Sequence, residues 1–211
     1  MAVVIAGSIS SGLVDAAVCA LVAVIGAARS LLRRDPWTHA DDLTTLRLGL
    51  IVIVTALILV GDGPGFSWSA VALGGAALAM DGLDGKIARS TGSTRAGARY
   101  DETVDALFIL ILSVALVALW GPWCLIPGLM YYVFHLVAAL RPAWRRRLPP
   151  SLSRRVIAAA QGILLLVAGT PIAVAVPPFG VLCVAAAVVS VLYSFGRDIA
   201  WLESHGGRSG T

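Results

Sequence analysis

The chain has 211 residues, of which 58% are hydrophobic and only 13% charged, with a formal net charge of +4 and a mean hydropathy of +0.88. A soluble domain usually carries about 25% charged residues, so the composition excludes an ordinary soluble fold, and the length leaves no room for a separate soluble module. Apolar runs recur along the chain, each near the roughly twenty residues that a helix needs to cross the hydrocarbon core, and an all-α, polytopic membrane protein is the expected class.

The first run, Val3–Ala28, lacks a basic leader, exceeds the usual length of a signal-peptide core and is followed by "RSLLRRD" (Arg29–Asp35). It reads as a membrane helix with basic residues at its cytoplasmic end. Asp15 lies within it, and an intramembrane carboxylate ordinarily faces protein or water. Further spans are expected at Thr45–Val60, Ser67–Ile87, Gly97–Leu119, Cys124–Leu140, Val156–Ala175 and Pro178–Phe195. The breakers between them are "GDGPG" (Gly61–Gly65), "WGPW" (Trp120–Trp123) and the pair Pro177–Pro178. Cys19, Cys124 and Cys183 all sit in apolar runs without a metal-binding spacing and read as small packing residues. His135, in mid-helix with no partner visible in sequence, reads as a hydrogen-bonded core residue.

If the spans alternate, Arg29–Thr44, the Ala88–Ala96 region, Arg141–Arg155 and the tail from Gly196 share one face. All sixteen Lys and Arg residues fall at or near that face, whereas the opposite loops hold only Asp62. The positive-inside rule makes that face cytoplasmic and the N-terminus external. Arg29, Arg33, Arg34 and Arg145–Arg147 read as topology determinants meeting anionic headgroups, each worth about 1 kcal/mol near the surface. Trp37, Trp120, Trp123, Trp144 and Trp201 lie near predicted boundaries, as interfacial anchors do.

The acidic residues require a different account. Asp81 and Asp84 are spaced i, i+3 at the end of one predicted helix, and Asp101 and Asp105 i, i+4 near the start of the next. Each pair shares a helical face. The short turn "STGSTRA" (Ser90–Ala96) makes the two helices pack antiparallel, with all four carboxylates converging. Four like charges at membrane depth repel and are costly to desolvate, so they need compensation. Cytoplasmic arginines supply it in a plain salt-bridge network; divalent metal fits better, because carboxylates without His or Cys suit hard cations such as Mg²⁺ or Mn²⁺. Four carboxylates can hold two ions in an arrangement suited to phosphoryl chemistry. Gly82 and Gly85 remove side chains where phosphates must approach the helix, Ala88 is small on the same face as Gly85, and Arg89 can reach a phosphate bidentately.

The stretch "DGLDGKIAR…GARYDETVD" resembles the signature of the CDP-alcohol phosphotransferases, D-x-x-D-G-x-x-A-R, a spacer, then G-x-x-x-D-x-x-x-D. Every fixed position is met: Asp81, Asp84, Gly85, Ala88, Arg89, Gly97, Asp101 and Asp105. The spacer Ser90–Ala96 is one residue shorter than in most members, within "STGS". Upstream, "DDLTTLR" (Asp41–Arg47) is similar to the N-x-x-T-x-x-R segment that opens the family's membrane domain, with Asp41 in place of Asn. Downstream, "RRVIAAAQ" (Arg154–Gln161) resembles the G-K-x-K-T-x-x-Q segment of glycerophosphate-using members; Arg155 replaces the first Lys, Gln161 matches, and Ala158 stands in place of Thr.

The resemblance implies a six-helix core in residues 41–200, preceded by an extra membrane helix and basic segment in 1–40 and followed by a cytoplasmic tail, 201–211. It implies transfer of a substituted phosphate from a CDP-alcohol, commonly CDP-diacylglycerol, to a hydroxyl acceptor with release of CMP, in the cell's inner or plasma membrane and with the active site facing the cytoplasm. Asp81, Asp84 and Asp101 would be the principal ligands of two ions, Mg²⁺ or Mn²⁺. Asp105 would lie near the second ion and act as general base. Gly85, Ala88, Arg89, Gly97 and Thr44 would line the nucleotide and phosphate site.

Arg95, Arg141, Arg154 and Arg155 near the cytoplasmic mouth favour a phosphorylated acceptor, with topology and headgroup contact as the plainer account. Glycerol 3-phosphate is the first choice; inositol phosphate, another polyol phosphate or phosphatidylglycerol would use the same hairpin. Members of this family commonly form homodimers, and no nucleic-acid partner is expected. Intramembrane prenyltransferases also use metal-bound aspartates, but on widely separated segments, whereas here both pairs lie in one hairpin. An inactive family member conflicts with the complete set of aspartates. A non-enzymatic scaffold or transporter, with carboxylates paired to Arg89, Arg95 and Arg99, leaves Gly82, Gly85 and Gly97 without a role.

Overall fold

The computed structural model describes residues 39–91, 95–141 and 152–206, with side chains described for 41–82, 97–141 and 153–204. The expected helix Val3–Ala28 with Asp15 and Cys19, the arginines at 29, 33, 34 and 145–147, Trp37 and Trp144 lie outside the described residues. Those that are described form helices α1 (His39–Val60), α2 (Trp68–Thr91), α3 (Arg95–Trp120), α4 (Leu125–Leu140), α5 (Leu152–Ala168), α6 (Pro171–Ala175) and α7 (Pro177–Gly206), plus a 3-10 turn at Pro122–Cys124. No strand occurs among them. Among the described residues, four segments are long and apolar enough to cross a membrane: Asp41–Val60, Gly97–Trp120, Pro122–Leu140 and Pro177–Ser204. Helix α2 is comparably long but ends in the charged stretch "MDGLDGKIAR". The protein is a polytopic all-α membrane protein. Large apolar side chains are exposed along the helices, among them Leu129, Val133, Leu136 and Leu140 on α4 and Leu182, Val189 and Leu192 on α7. Such surface suits lipid, where helices satisfy all their backbone groups internally.

The chain divides into two units between Phe108 and Ile109, so that α3 begins in the first and ends in the second. In the first unit α1 and α2 pack against each other, with Ile51, Val54, Phe66, Ala70 and Ala77 buried. The short connection between Val60 and Trp68 makes the pair antiparallel, and Arg47 of α1 meets Asp81 in the interior of α2. The connection turns at Gly65, whose φ of 96° is a conformation glycine adopts without a Cβ penalty. Tyr100 and Val104 bring the first turns of α3 into the same core, and the Tyr100 hydroxyl lies 3.4 Å from Thr45 Oγ1 on α1.

The second unit contains the rest of α3 with α4 to α7. Helices α5 and α7 pack together over Leu165, Leu166, Val184, Ala187 and Val191. Cys124 and Cys183 are buried free thiols, as expected of packing residues. Gly121, with φ 98°, turns the chain out of α3.

Three expectations need correction in this unit. The span expected at Val156–Ala175 is two helices. Thr170 caps α6, its hydroxyl accepting from the Ala173 N–H at 3.2 Å and donating to the Val167 carbonyl at 2.7 Å, and Pro171 follows at the first helical position. A capping hydroxyl before a proline starts a new helix. The last helix does not stop at Phe195 but runs to Gly206. His135 donates from Nδ1 to the Tyr131 carbonyl at 2.9 Å, so it is hydrogen-bonded, but it is exposed and not part of the core.

Trp120 and Trp123 do more than mark a boundary. Trp120 Nε1 donates to the Ala168 carbonyl at 3.0 Å, satisfying a group left without a helical partner at the end of α5. Its ring lies so close to Gly180 that any Cβ there would overlap it. Trp123 Nε1 donates to the Trp120 carbonyl at 2.5 Å.

Candidate metal centre

The site lies in the first unit and is built from one face of α1. Asp41, Thr44, Arg47, Ile51 and Val54 recur at three- and four-residue spacing, and all five are buried. The apolar stripe that packs this helix therefore continues as a polar stripe toward its N-terminus. Helix α1 holds its hydroxyl residues locally: Thr45 Oγ1 donates to the Asp41 carbonyl and Thr55 Oγ1 to the Ile51 carbonyl, both at 2.7 Å.

Arg47 is 2% exposed, and its guanidinium faces three carboxylates. Nη1 donates to Asp81 Oδ1 on α2 at 2.8 Å, Nη2 pairs with Asp105 Oδ1 on α3, and Nη1 lies 3.2 Å from Asp101 Oδ1. The fixed fork of a guanidinium can engage several carboxylates at once, which an ammonium does less well. Arg47 thus joins three helices at one point. The Thr44 hydroxyl, one turn earlier on the same face, hydrogen-bonds to the Asp101 carboxylate.

The expected convergence of carboxylates is present for three of the four. One oxygen from each of Asp81, Asp101 and Asp105 lies within 4.8 Å of the others. The side chains of Asp84, Ala88, Arg89 and Arg95, the surroundings of Gly85 and the whole of residues 92–94 lie outside what the structure describes. Gly82 is exposed beside Asp81, with nothing within 4 Å of where a Cβ would stand. Gly97 is half-buried at the start of α3.

Three observations make the cluster fit a divalent cation. Its donors are all hard carboxylate oxygens. The carboxylates are 32%, 35% and 44% exposed for Asp81, Asp101 and Asp105, which leaves a path for an ion from outside. Asp101 Oδ1 is itself buried without a hydrogen-bond partner among the described residues, even though Arg47 is close by. A buried carboxylate oxygen in that condition is costly unless something else neutralises it.

The sequence does not single out Arg47 as a partner of the aspartates: there it is one cation of the basic face and the end of the "DDLTTLR" match, with compensation expected from metal or from cytoplasmic arginines such as Arg89, Arg95 and Arg99. Its signal was present: it shares helical spacing with Thr44, Ile51 and Val54, and a cation on a core-facing stripe does not meet headgroups.

The other expected cations belong to the second unit. Arg141 is exposed and pairs with Glu203 at 3.5 Å. Arg155 is exposed on α5. Its neighbour Arg154 pairs with Asp198 at 3.0 Å, and Arg197 reaches both Asp198, at 3.5 Å, and Ser153 Oγ, at 2.7 Å. The nearly buried Asp198 therefore ties α5 to α7, and this polar contact lies on the part of α7 beyond Phe195. Gln161 is buried, with Nε2 unsatisfied among the described residues.

With this geometry in hand, residues 37–194 match the sequence model of the CDP-alcohol phosphatidyltransferase family, well over half of the 211-residue chain. No match was found among curated proteins. The chain belongs to the CDP-alcohol phosphatidyltransferase family, whose members transfer a substituted phosphate group from a CDP-alcohol in a membrane setting.

Proposed function

We propose that this member of the family transfers the phosphatidyl group of CDP-diacylglycerol to glycerol 3-phosphate at the cytoplasmic face of the cell's inner or plasma membrane, releasing CMP. The observation that carries the reading is the meeting of Asp81, Asp101 and Asp105 at one point between α1, α2 and α3. Those three, with Asp84, would hold two divalent ions, Mg²⁺ or Mn²⁺. When bound, the ions neutralise the pyrophosphate and the departing CMP.

The chain's own residues do the rest. The acceptor hydroxyl oxygen forms a bond to the phosphorus of the phosphatidyl group, the bond from that phosphorus to the CMP oxygen breaks, and CMP leaves with the electron pair. Asp105 takes the hydroxyl proton; it is the most exposed of the three carboxylates, and only its Oδ1 is engaged by Arg47. Gly85, Ala88, Arg89 and Gly97 line the nucleotide and phosphate positions. Thr44, whose hydroxyl hydrogen-bonds to Asp101, lies beside the ligands and joins them at the edge of the nucleotide and phosphate site. Arg95, Arg141 and Arg155 are the proposed acceptor contacts, Arg155 being the exposed one of the second-unit pair Arg154 and Arg155. Because Arg141 and Arg154 already carry carboxylate partners, the acceptor assay needs a panel: glycerol 3-phosphate, inositol phosphate and phosphatidylglycerol.

The test is acceptor-dependent CMP release by purified protein given CDP-diacylglycerol with Mg²⁺ or Mn²⁺. No release with any acceptor, together with no binding of CDP-diacylglycerol, refutes the enzymatic reading. Full activity in Asp105→Asn refutes the assignment of the base alone.

A further inference from the structure

A guanidinium and a divalent ion ask for the same thing from a carboxylate: oxygen lone pairs in a place where water cannot supply the charge. In this protein both requirements fall on the same side chains. Arg47 contacts Oδ1 of Asp81, Asp101 and Asp105, and those three residues form the described cluster capable of holding a metal. The contacts are unequal. Asp81 and Asp105 are hydrogen-bonded to Arg47, whereas Asp101 Oδ1 lies 3.2 Å from Nη1, buried and outside hydrogen-bond geometry. One guanidinium offsets only one of three carboxylate charges, so Arg47 moderates the repulsion within the cluster without removing its attraction for a cation.

We propose that Arg47 is an internal counter-cation that holds Asp81, Asp101 and Asp105 together when no divalent ion is bound and competes with that ion for their oxygens, so that it lowers the affinity of the site for divalent metal. Arg47 is in this sense a positioning residue, and the inference rests on the reading of the aspartates as a metal site. A residue that merely held the helices together would raise metal affinity by preorganising the ligands. A competing cation lowers it.

The experiment measures Mn²⁺ binding by electron paramagnetic resonance, together with melting temperature in EDTA and in saturating Mn²⁺, on the full chain in detergent. The variants are Arg47→Met and Arg47→Lys. Arg47→Met is expected to melt lower than the original protein in EDTA, because three carboxylates lose their counter-charge, and to bind Mn²⁺ at least tenfold more tightly, about 1.4 kcal/mol. Its stabilisation by Mn²⁺ should exceed that of the original protein correspondingly. Arg47→Lys keeps the charge without the fork; it is expected to lose part of the EDTA melting temperature and to stay within about threefold of the original Mn²⁺ affinity.

Unchanged or weaker Mn²⁺ binding in Arg47→Met overturns the proposal while leaving the metal site standing. Equal tightening in Arg47→Lys and Arg47→Met overturns it as well, since charge would then not be the cause. Binding by neither the original protein nor Arg47→Met removes the metal site itself, and the proposal with it. If Arg47→Met folds only with Mn²⁺ present, its requirement for the ion supports the counter-cation role, and the Arg47→Lys affinity remains the deciding measurement.

Discussion

Gly82 offers a test in which stability and activity are expected to move in opposite directions. It sits in the interior of α2 directly after Asp81, is exposed, and has nothing within 4 Å of a Cβ position. The fold itself therefore gives no steric reason for glycine there. A glycine in a helix interior costs about 0.5–1 kcal/mol relative to alanine through backbone entropy. For a protein of this length that corresponds to a rise of roughly 1–4 °C in melting temperature for Gly82→Ala.

The proposed function gives the opposite sign for catalysis. If the phosphates of the CDP-alcohol approach the helix backbone beside Asp81, a methyl group at residue 82 holds them away by about 1 Å, and misplacement of that size costs on the order of 100-fold in rate. The assay pairs thermal unfolding in detergent with kcat/KM for CMP release. Gly75→Ala is the control: it lies two turns earlier in the same helix, also with nothing within 4 Å of a Cβ, and should gain similar stability with unchanged kinetics. Unchanged kcat/KM in Gly82→Ala refutes the phosphate approach at this position. Equal losses in both variants assign the effect to the helix rather than the site, and a lower melting temperature in Gly82→Ala refutes the reading of open space.

Two further predictions concern the second unit. Trp120→Phe removes the donor to the Ala168 carbonyl and should destabilise the protein by about 1–3 kcal/mol, the penalty for an unpaired buried group, with the KM for CDP-diacylglycerol unchanged; a melting temperature equal to the original excludes a capping role for the indole. Gly128→Ala would place a Cβ 2.8 Å from the Leu110 Cα and 2.8 Å from Ser113 Oγ, and overpacking of that kind costs about 1–3 kcal/mol. Ser113→Ala should not restore stability, because the backbone contact with Leu110 remains; full rescue would show that the hydroxyl alone sets the helix separation.

The four spans within Asp41–Val60, Gly97–Trp120, Pro122–Leu140 and Pro177–Ser204 were legible in sequence because bilayer thickness fixes the length of an apolar helix, and lipid exposure keeps both sides of it apolar. Hydropathy cannot see a helix break that occurs inside apolar sequence. Residues 167–172 read Val-Ala-Gly-Thr-Pro-Ile, so the run continues while the backbone stops, and only the local chemistry of Thr170 and Pro171 marks the new start. The end of α7 fails for the converse reason: the helix outlasts its apolar stretch because Asp198 anchors it to Arg154 on α5. The aspartate cluster was legible because i, i+3 and i, i+4 spacings put carboxylates on common faces wherever the helices later pack.

Arg47 was not legible as part of that cluster, and the reason lies in how charge is read along a chain. Counted with fifteen other cations it belongs to a basic face, and nothing in a count separates a headgroup contact from a buried ion pair. Periodicity does separate them. Thr44, Arg47, Ile51 and Val54 form one buried stripe, so a cation at position 47 must find its partners inside the protein. Those partners are then restricted to acidic residues on neighbouring helices, which among the described residues are Asp81, Asp101 and Asp105. The same restriction bears on chemistry. Without any cation the three carboxylates would push α2 and α3 apart, whereas with full internal neutralisation they would hold no divalent ion. One guanidinium among three aspartates lies between those limits, keeping the ligands assembled and the cluster negative.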